Sequence, residues 1–240
     1  MKMRSLNPNH LNIIGDIHGD ATAIAQWGAF YKGKFLIVAG DAGLLFGNEN
    51  NLEILNIFKK RYSDKVVLIV PGNHDDYDQI EALPQCEKFG GKLRKLSNQF
   101  YYVERGEILT ICDKKILCVS GADSIDIGWR ITYEHLHNQK IWWQQEQITA
   151  SDINKIIDRM PHHGWRVDYV VSHDLPTPIK REAFHGVLYG PHSSSDLLWD
   201  LANQIDFSAW YGAHLHLSYN SMIGDKEFIV LNINEIQEVF

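Results

Sequence analysis

The sequence predicts an α/β fold built on a parallel sheet, because strand and helix patterns alternate along its N-terminal part. Three mainly apolar runs, at 11–14, 35–39 and 66–70, are typical of strands buried on both faces, and the second and third are apolar throughout. Each run leads to a glycine followed by a polar residue, as Gly15-Asp16, Gly40-Asp41 and Gly72-Asn73. Since the carboxyl ends of parallel strands share one edge, we expect a site there.

Two segments of helical composition, 21–31 and 52–62, separate the three runs and should pack on the sheet. The residues expected to face the sheet are Ile24, Trp27, Ala29, Phe30, Leu52, Ile54, Leu55, Ile57 and Phe58. Shorter strands are expected at 101–103, 107–112, 115–119, 169–173, 209–212, 217–222 and 228–232, and a helix at 194–205. A turn at Asp113-Lys114 should join two of these strands as an antiparallel pair.

The segment 121–160 has a different character. It breaks at 121–124 and is irregular up to Lys140, after which Trp142-Trp143 leads into a helix that runs through Ile157 and Met160. We interpret it as a loop plus capping helix, inserted into a single domain that spans residues 1–240. No low-complexity linker or internal repeat marks a domain boundary.

Composition narrows the class of protein. The 240 residues carry a formal charge of −7, which disfavours extended nucleic acid as a partner. Cys86, Cys112 and Cys118 form no CxxC pair, which fits a reducing compartment. No signal-like apolar segment opens the chain and no apolar stretch is long enough to span a bilayer, so we expect a cytoplasmic protein without a membrane partner.

Seven polar residues lie at or just after the ends of the expected strands: Asp16, His18, Asp41, Asn73, His173, His214 and His216. Each alone could belong to an ordinary turn. Together they supply enough oxygen and nitrogen donors for two divalent metals, provided that one carboxylate bridges the ions. Two such ions roughly 3.5–4 Å apart can hold a phosphoryl group and activate a water, which is the design of a phosphoester hydrolase.

These residues carry a resemblance to the five ordered sequence blocks of the calcineurin-like metallophosphoesterases, and the blocks span nearly the whole chain. The blocks are Gly15-Asp16-Ile17-His18-Gly19, Gly40-Asp41, Gly72-Asn73-His74-Asp75, the lone His173, and Gly212-Ala213-His214-Leu215-His216. The stretch 121–126, with Arg130 and Trp142-Trp143, also resembles a bacterial and phage-type branch of predicted phosphohydrolases.

The resemblance implies a four-layer α/β/β/α sandwich of two face-to-face mixed sheets, with a dinuclear metal site at the strand ends. It implies Asp16, His18, Asp41 and His216 as ligands of the first metal. It implies Asp41, Asn73, His173 and His214 as ligands of the second. Asp41 would thus bridge the two metals, and the resemblance makes Asp41 and His74 the catalytic residues. In the implied mechanism a hydroxide held by the metals attacks phosphorus in line, and His74 protonates the leaving oxygen. Asp75 is expected to order its loop.

Departures from the family bear on the substrate. In the serine/threonine phosphatase branch the second block continues to an Asp that orients the catalytic histidine and an Arg that grips phosphate, but 41–46 has neither. His74 must then be oriented by Asp75, Asp76 or a backbone carbonyl. Arg130 and Asn73 are our candidates for substrate binding, and the alternative for Arg130 is an ion pair with Asp126 or Glu134. Trp142 and Trp143 fit core packing better than base stacking.

Three functions are therefore compared. The leading one is a phosphomonoesterase or phosphodiesterase acting on a small phosphorylated compound or nucleotide. The second is a phosphoprotein phosphatase or nuclease, and the third is a non-catalytic scaffold. The mixed donor set suits Mn²⁺, Fe or Zn²⁺, and we favour Mn²⁺.

Overall fold

Two mixed β-sheets carry the fold. The computed structural model describes residues 7–45, 49–188 and 190–240. The strands in this part of the chain are β1 (Asn7–Ile14), β2 (Gly33–Val38), β3 (Val66–Ile69), β4 (Gln85–Lys88), β5 (Gly91–Lys95), β6 (Phe100–Val103), β7 (Glu107–Ile111), β8 (Lys114–Val119), β9 (Tyr169–Ser172), β10 (Ala209–Gly212), β11 (Tyr219–Ile223), β12 (Lys226–Val230) and β13 (Ile236–Glu238). The helices are α1 (Ala21–Phe30), α2 (Glu49–Arg61), α3 (Tyr77–Ala82), α4 (Ile127–His137), α5 (Ala150–Ile157), α6 (Thr177–Ala183) and α7 (Ser193–Ala202).

Each sheet has a parallel centre and antiparallel edges. The first sheet has the order β13-β1-β2-β3-β6-β5-β4, in which β1, β2, β3 and β6 run parallel. The second has the order β11-β12-β10-β9-β8-β7, in which β12, β10, β9 and β8 run parallel. The carboxyl ends of β1, β2, β3, β9 and β10 can therefore supply side chains to one region, as the sequence predicts.

The apolar runs are continuous because alternate residues of one strand serve different cores. Within β2, Ile37 packs in a cluster that mixes residues of both sheets, whereas Leu36 packs in a cluster with α1 and α2. A third cluster joins the outer face of the second sheet to α5, α6 and α7. The two sheets thus face each other and helices cover their outer faces, which confirms the predicted fold class.

Helix α1 corrects part of the predicted core. Its buried residues are Ala23, Ile24, Trp27 and Gly28. Ala29 and Phe30 were expected to face the sheet but are exposed, Phe30 at 72%. At 100° per residue Ala29 lies on the side of the helix opposite Trp27, and Phe30 lies about 60° from Trp27, at the edge of the buried stripe. Phe46 and the side chain of Leu52 lie outside the described residues.

The insert corrects a second expectation. Residues 125–140 were expected to be irregular, but α4 forms there and ends at His137, followed by Asn138 as a left-handed C-cap. The residue of α4 that is buried is an arginine, Arg130, while its apolar residues Trp129, Ile131 and Leu136 are exposed, so the helix does not follow the usual pattern of a buried apolar stripe. The helix expected after Trp142-Trp143 begins later, at α5, behind a capping box between Thr149 and Asp152.

Sequence patterns missed the hairpin β4–β5, helix α6 and the closing strand β13. The hairpin lies at a sheet edge and alternates charged, exposed residues, which is how edge strands avoid pairing with other chains. The turn between β7 and β8 lies one residue earlier than predicted, at Cys112-Asp113, and both residues have positive φ as a type I′ turn requires. Within the described residues no helix combines the length and apolar character needed to cross a bilayer. The single domain stays a prediction.

Trp27 tests the outer core of the first sheet. It is fully buried, stacks on Phe58 and donates its indole N–H to Asn12 Oδ1 at 2.9 Å. We expect Trp27→Ala to lower the free energy of unfolding in urea by about 3–5 kcal/mol. Phe30→Ala, in the same helix, should change it by less than about 0.5 kcal/mol. Equal losses from the two variants would contradict this packing.

Candidate metal centre

The seven predicted ligands come together where the two sheets meet. Ligand atoms of two triplets each lie within 4.8 Å of one another: Asp16, His18 and His216, and Asp41, His173 and His214. Asn73 joins the second triplet, since its Oδ1 lies 3.0 Å from His173 Nε2. Each triplet combines residues of both sheets, so the arrangement depends on how the sheets pack.

The first triplet brings two imidazole nitrogens close to one carboxylate oxygen. Nε2 of His18 lies 3.0 Å from Nε2 of His216, which in turn lies 2.9 Å from Oδ2 of Asp16. That carboxylate oxygen is buried and, despite the short distance, makes no hydrogen bond of ordinary geometry. Two imidazole nitrogens and an acidic oxygen that converge in this way fit a divalent cation better than they fit one another.

In the second triplet, His173 is held between oxygen acceptors. Its Nδ1 lies 2.8 Å from the carbonyl oxygen of Ala39, which can only accept, so Nδ1 carries a proton. Its Nε2 faces Asn73 Oδ1 at 3.0 Å and Asp41 Oδ2 at 3.2 Å, and a cation bound there would replace the second proton that Nε2 otherwise carries. A backbone carbonyl that orients a histidine in this way is a common support of metal ligands.

Crowded carboxylates make this edge strongly negative. Burial opposes ionisation of Asp41, yet His173 beside it holds the pKa of that carboxyl well below its usual value. Burial lowers the pKa of His173, but Asp41 and Asp16 outweigh burial and raise the pKa to about 10. Both pKa shifts have the same cause, since a buried carboxylate is stabilised by a nearby positive charge. A divalent cation among these donors would meet it.

Small residues let the strand ends approach this closely. A Cβ on Gly40, whose φ is +103°, would lie 2.0 Å from His173 Nδ1. A Cβ on Gly72 would lie 2.2 Å from Asp41 Oδ1. The glycines of the second and third blocks therefore leave room for the side chains of the second triplet.

Four of the predicted ligands have a left-handed backbone conformation, which residues other than glycine rarely adopt. These are His18 at φ 44°, Asp41 at 48°, His214 at 65° and His216 at 54°. Such conformations persist only where the surroundings enforce them, and they concentrate at functional sites. No pattern in the sequence reveals this signal.

Residues 10–218 match the sequence model of the calcineurin-like phosphoesterases. This chain belongs to that family. The match covers all five blocks, and it makes the chain a phosphoester hydrolase by family, a class that implies divalent metal ions. No curated protein sequence matches the chain significantly.

Solved structures similar to this phosphoesterase share little sequence with it. A phosphopantetheinyl hydrolase from Mycobacterium tuberculosis is 14% identical over 94% of this chain and 90% of that chain, with a TM-score of 0.46. A putative 5′-nucleotidase from Staphylococcus aureus, in complex with α-ketoglutarate, is 14% identical with a TM-score of 0.52; the match covers 95% of this chain but half of that one. A predicted phosphoesterase from Streptococcus pneumoniae is 12% identical over 95% and 75%, with a TM-score of 0.33. At such identities the likeness of the nucleotidase concerns the fold alone.

In this phosphoesterase, His74 lies beside the two triplets, with its ring 5.7 Å from that of His18. Asp75 accepts hydrogen bonds from the amides of Ala42, Gly43 and Gly72, and so orders its loop as expected. Burial and the nearby Asp41 raise the pKa of Asp75 to about 6. Asp76 caps α3, so neither acid orients His74.

Arg130 reaches His74 instead. Its Nη2 lies 2.8 Å from Nδ1 and 2.7 Å from Nε2 of that ring, and its Nε pairs with Asp126 at 2.9 Å. Glu134, the other expected partner, accepts from the amides of Ile141 and Trp142. The side chain of Arg130 is 2% exposed, and its binding of phosphate stays a prediction.

Sequence reasoning missed Ser124 and Glu146. Asn73 donates from Nδ2 to Ser124 Oγ at 2.9 Å, and Ser124 donates to Glu146, which is fully buried. Ser124 follows the carboxyl end of β8, so the strand-end rule that found the other residues could have found it. Glu146 lies in a short 3-10 helix with no local signal. Trp143 is buried, as expected of a core aromatic residue.

A cavity of about 450 Å³ opens beside the predicted ligands. Asp41, Asn73, His74, His214 and His216 line one side, and Ile125, Asp126, Lys180, Phe184 and Leu215 complete it. Lys180 is tied to Asp174 at 2.9 Å, so among the described lining residues no cation is left for a second phosphate. A larger cavity, of about 870 Å³ and lined by Tyr77, Arg94 and Arg105, contains none of the predicted ligands.

Asp41 tests the centre most directly. We expect Asp41→Asn to lose at least about tenfold in metal affinity, together with turnover, because the amide removes a charge that both ligand sets need. Bound metal can be measured by mass spectrometry beside hydrolysis of an aryl phosphate. Asp20→Asn is the control: Asp20 is an exposed acid next to the first block that caps α1, and asparagine caps equally well. Normal metal content in Asp41→Asn would remove Asp41 from the ligands.

Proposed function

We propose that this calcineurin-like phosphoesterase is a two-metal hydrolase of small phosphorylated compounds. Asp16, His18, Asp41 and His216 would hold one cation. Asp41, Asn73, His173 and His214 would hold the other, with Asp41 as the bridge. The observation that carries the proposal is the position of His173, whose Nδ1 is held by the carbonyl oxygen of Ala39 and whose Nε2 faces Asn73 Oδ1 and Asp41 Oδ2 at 3.0 and 3.2 Å.

Divalent cations in such a donor set supply a nucleophilic hydroxide at neutral pH and stabilise charge on the phosphoryl oxygens. Imidazole, amide and carboxylate donors together suit Mn²⁺, Fe and Zn²⁺, and we favour Mn²⁺. Asn73 would in addition contact the bound phosphoryl group. His74, at the rim of the cavity, would give its proton to the leaving oxygen.

Size and charge of the cavity support a small substrate with a single phosphoryl group, such as a nucleoside monophosphate. Its volume of about 450 Å³ falls within the usual range for small-molecule sites. The apolar side chains of Ile125, Phe184 and Leu215 would contact the alcohol part. The net charge of −7 disfavours nuclease activity. The missing Asp and Arg of the second block disfavour a phosphoprotein substrate, and the intact ligand set disfavours a non-catalytic scaffold. A cytoplasmic location stays a prediction.

A substrate panel tests the class of reaction. With added Mn²⁺, we expect kcat/KM for an aryl phosphate or an aryl phosphodiester to be at least about tenfold higher than kcat/KM for a phosphopeptide or a single-stranded oligonucleotide. Asp41→Asn is the control for contaminating phosphatase. Preference for the peptide or the oligonucleotide would establish the alternative functions, and no hydrolysis of any substrate would favour a scaffold.

His74 separates binding from chemistry. We expect His74→Ala to keep its metal content but to lose about 10²–10⁴-fold in kcat on an alkyl phosphate, the usual range for acid catalysis. On a nitrophenyl phosphate the loss should be much smaller, since nitrophenolate leaves without a proton. Equal losses on the two esters would remove His74 from the acid role.

A further inference from the structure

Buried polar side chains of the insert join it to the third block. From Asn73, hydrogen bonds lead through Ser124 to Glu146. Oε2 of Glu146 lies 3.5 Å from Nη1 of Arg130, which donates to the carbonyl oxygen of Asn73 at 2.9 Å. The network therefore returns to the residue at which it began, and Asn73 is held through both its side chain and its backbone.

The guanidinium of Arg130 is the hub of this network. Nη1 donates to the carbonyl oxygen of Asn73 and Nη2 contacts the His74 ring, while Asp126 and Glu146 lie 2.9 Å from Nε and 3.5 Å from Nη1 as ion-pair partners without hydrogen-bond geometry. A guanidinium has five N–H donors in a fixed plane, so it can serve these groups at once and thereby fix their relative positions. Lysine could not, because an ammonium lacks this planar fork.

Helix α4 is built around this arginine and not around an apolar contact. Its large apolar residues Trp129 and Leu136 are 61% and 75% exposed, whereas Arg130 is 2% exposed. Burying a guanidinium beside a carboxylate is costly unless both are well paired, and apolar residues of similar volume often stabilise a fold as well or better. Stability therefore gives little reason for Arg130 and Glu146, while their contacts with Asn73 and His74 give a functional one.

We propose that Arg130, supported by Glu146 and Asp126, is a positioning residue that fixes the His74 ring and the Asn73 loop for phosphoester cleavage. Binding phosphate would require Nη2 to leave His74 and the buried side chain to reach the cavity. Unlike the acid that orients the catalytic histidine in the serine/threonine phosphatase branch, the guanidinium of Arg130 can only donate, so it holds one ring nitrogen of His74 as an acceptor and leaves the other to carry the proton for the leaving oxygen. This inference rests on the proposed role of His74 as the acid.

A double-mutant cycle with two esters tests the inference. Arg130→Ala should lower kcat about 10–100-fold more on an alkyl phosphate than on nitrophenyl phosphate, the range found when an orienting partner of a functional residue is removed. In the His74→Ala background the same change should cost less than about threefold, because the group that Arg130 positions is already gone. Arg130→Lys and Glu146→Gln retain similar volume and should show the same ester selectivity, so the test survives if Arg130→Ala does not fold.

Arg105→Ala is the matched control. Arg105 anchors the same insert through the carbonyl oxygens of Gln145 and Gln147 and through Asp152, with no contact to His74. We expect it to lower the melting temperature and to leave the ratio of alkyl to aryl turnover unchanged.

Two results would overturn the inference while His74→Ala still shows its ester selectivity. Equal losses on both esters, additive with His74→Ala and joined by weaker inhibition by inorganic phosphate, would make Arg130 a phosphate-binding residue. A lowered melting temperature with normal kinetics in all three variants would make the network structural. If His74→Ala itself lacks ester selectivity, the acid role proposed above fails instead.

Discussion

Two buried carboxylates, Asp16 and Asp41, set the conditions that the rest of the site satisfies. Each uses one oxygen to hold a backbone amide of another block: Asp16 accepts from His214 at 3.0 Å and Asp41 from His74 at 2.7 Å. The remaining oxygen of each faces imidazole nitrogens. Because an uncompensated buried carboxylate is expensive, the strand-end loops of both sheets have to close around these two side chains.

Closing the loops costs backbone strain. Left-handed conformations at His18, Asp41, His214 and His216 cost about 1–3 kcal/mol each, and glycine, which would relieve the strain, has no side chain to contribute. The hydrogen bonds to Asp16 and Asp41 help to enforce these conformations. In this phosphoesterase, the backbone strain and the geometry of the ligands therefore have the same origin, which is the short distance between the ends of two packed sheets.

The insert supplies a contact to His74 that the second block of this chain does not supply. The second block lacks the acid and the arginine of the serine/threonine phosphatase branch, and Asp75 and Asp76 are committed to the loop and to α3. Arg130 comes to His74 from α4, more than fifty positions later in the chain. Its support, Glu146, comes from a separate segment again. A single catalytic histidine thus depends on packing between the core and the insert.

The sequence by itself determined the central strands and the seven candidate ligands, because buried parallel strands are rich in apolar residues and end at glycines beside polar side chains. The two face-to-face mixed sheets followed from the family resemblance. The sequence also indicated Arg130 but left open what Arg130 contacts. Sequence patterns failed where the buried residue contradicts the usual rule: α4 buries an arginine and exposes the apolar residues Trp129 and Leu136. Tertiary structure alone decided the contacts of His173, the strain at four ligand positions and the contact between Arg130 and His74. Each of these depends on atoms that are distant in the chain, and residue pattern carries no information about such contacts until the two sheets and the insert have packed.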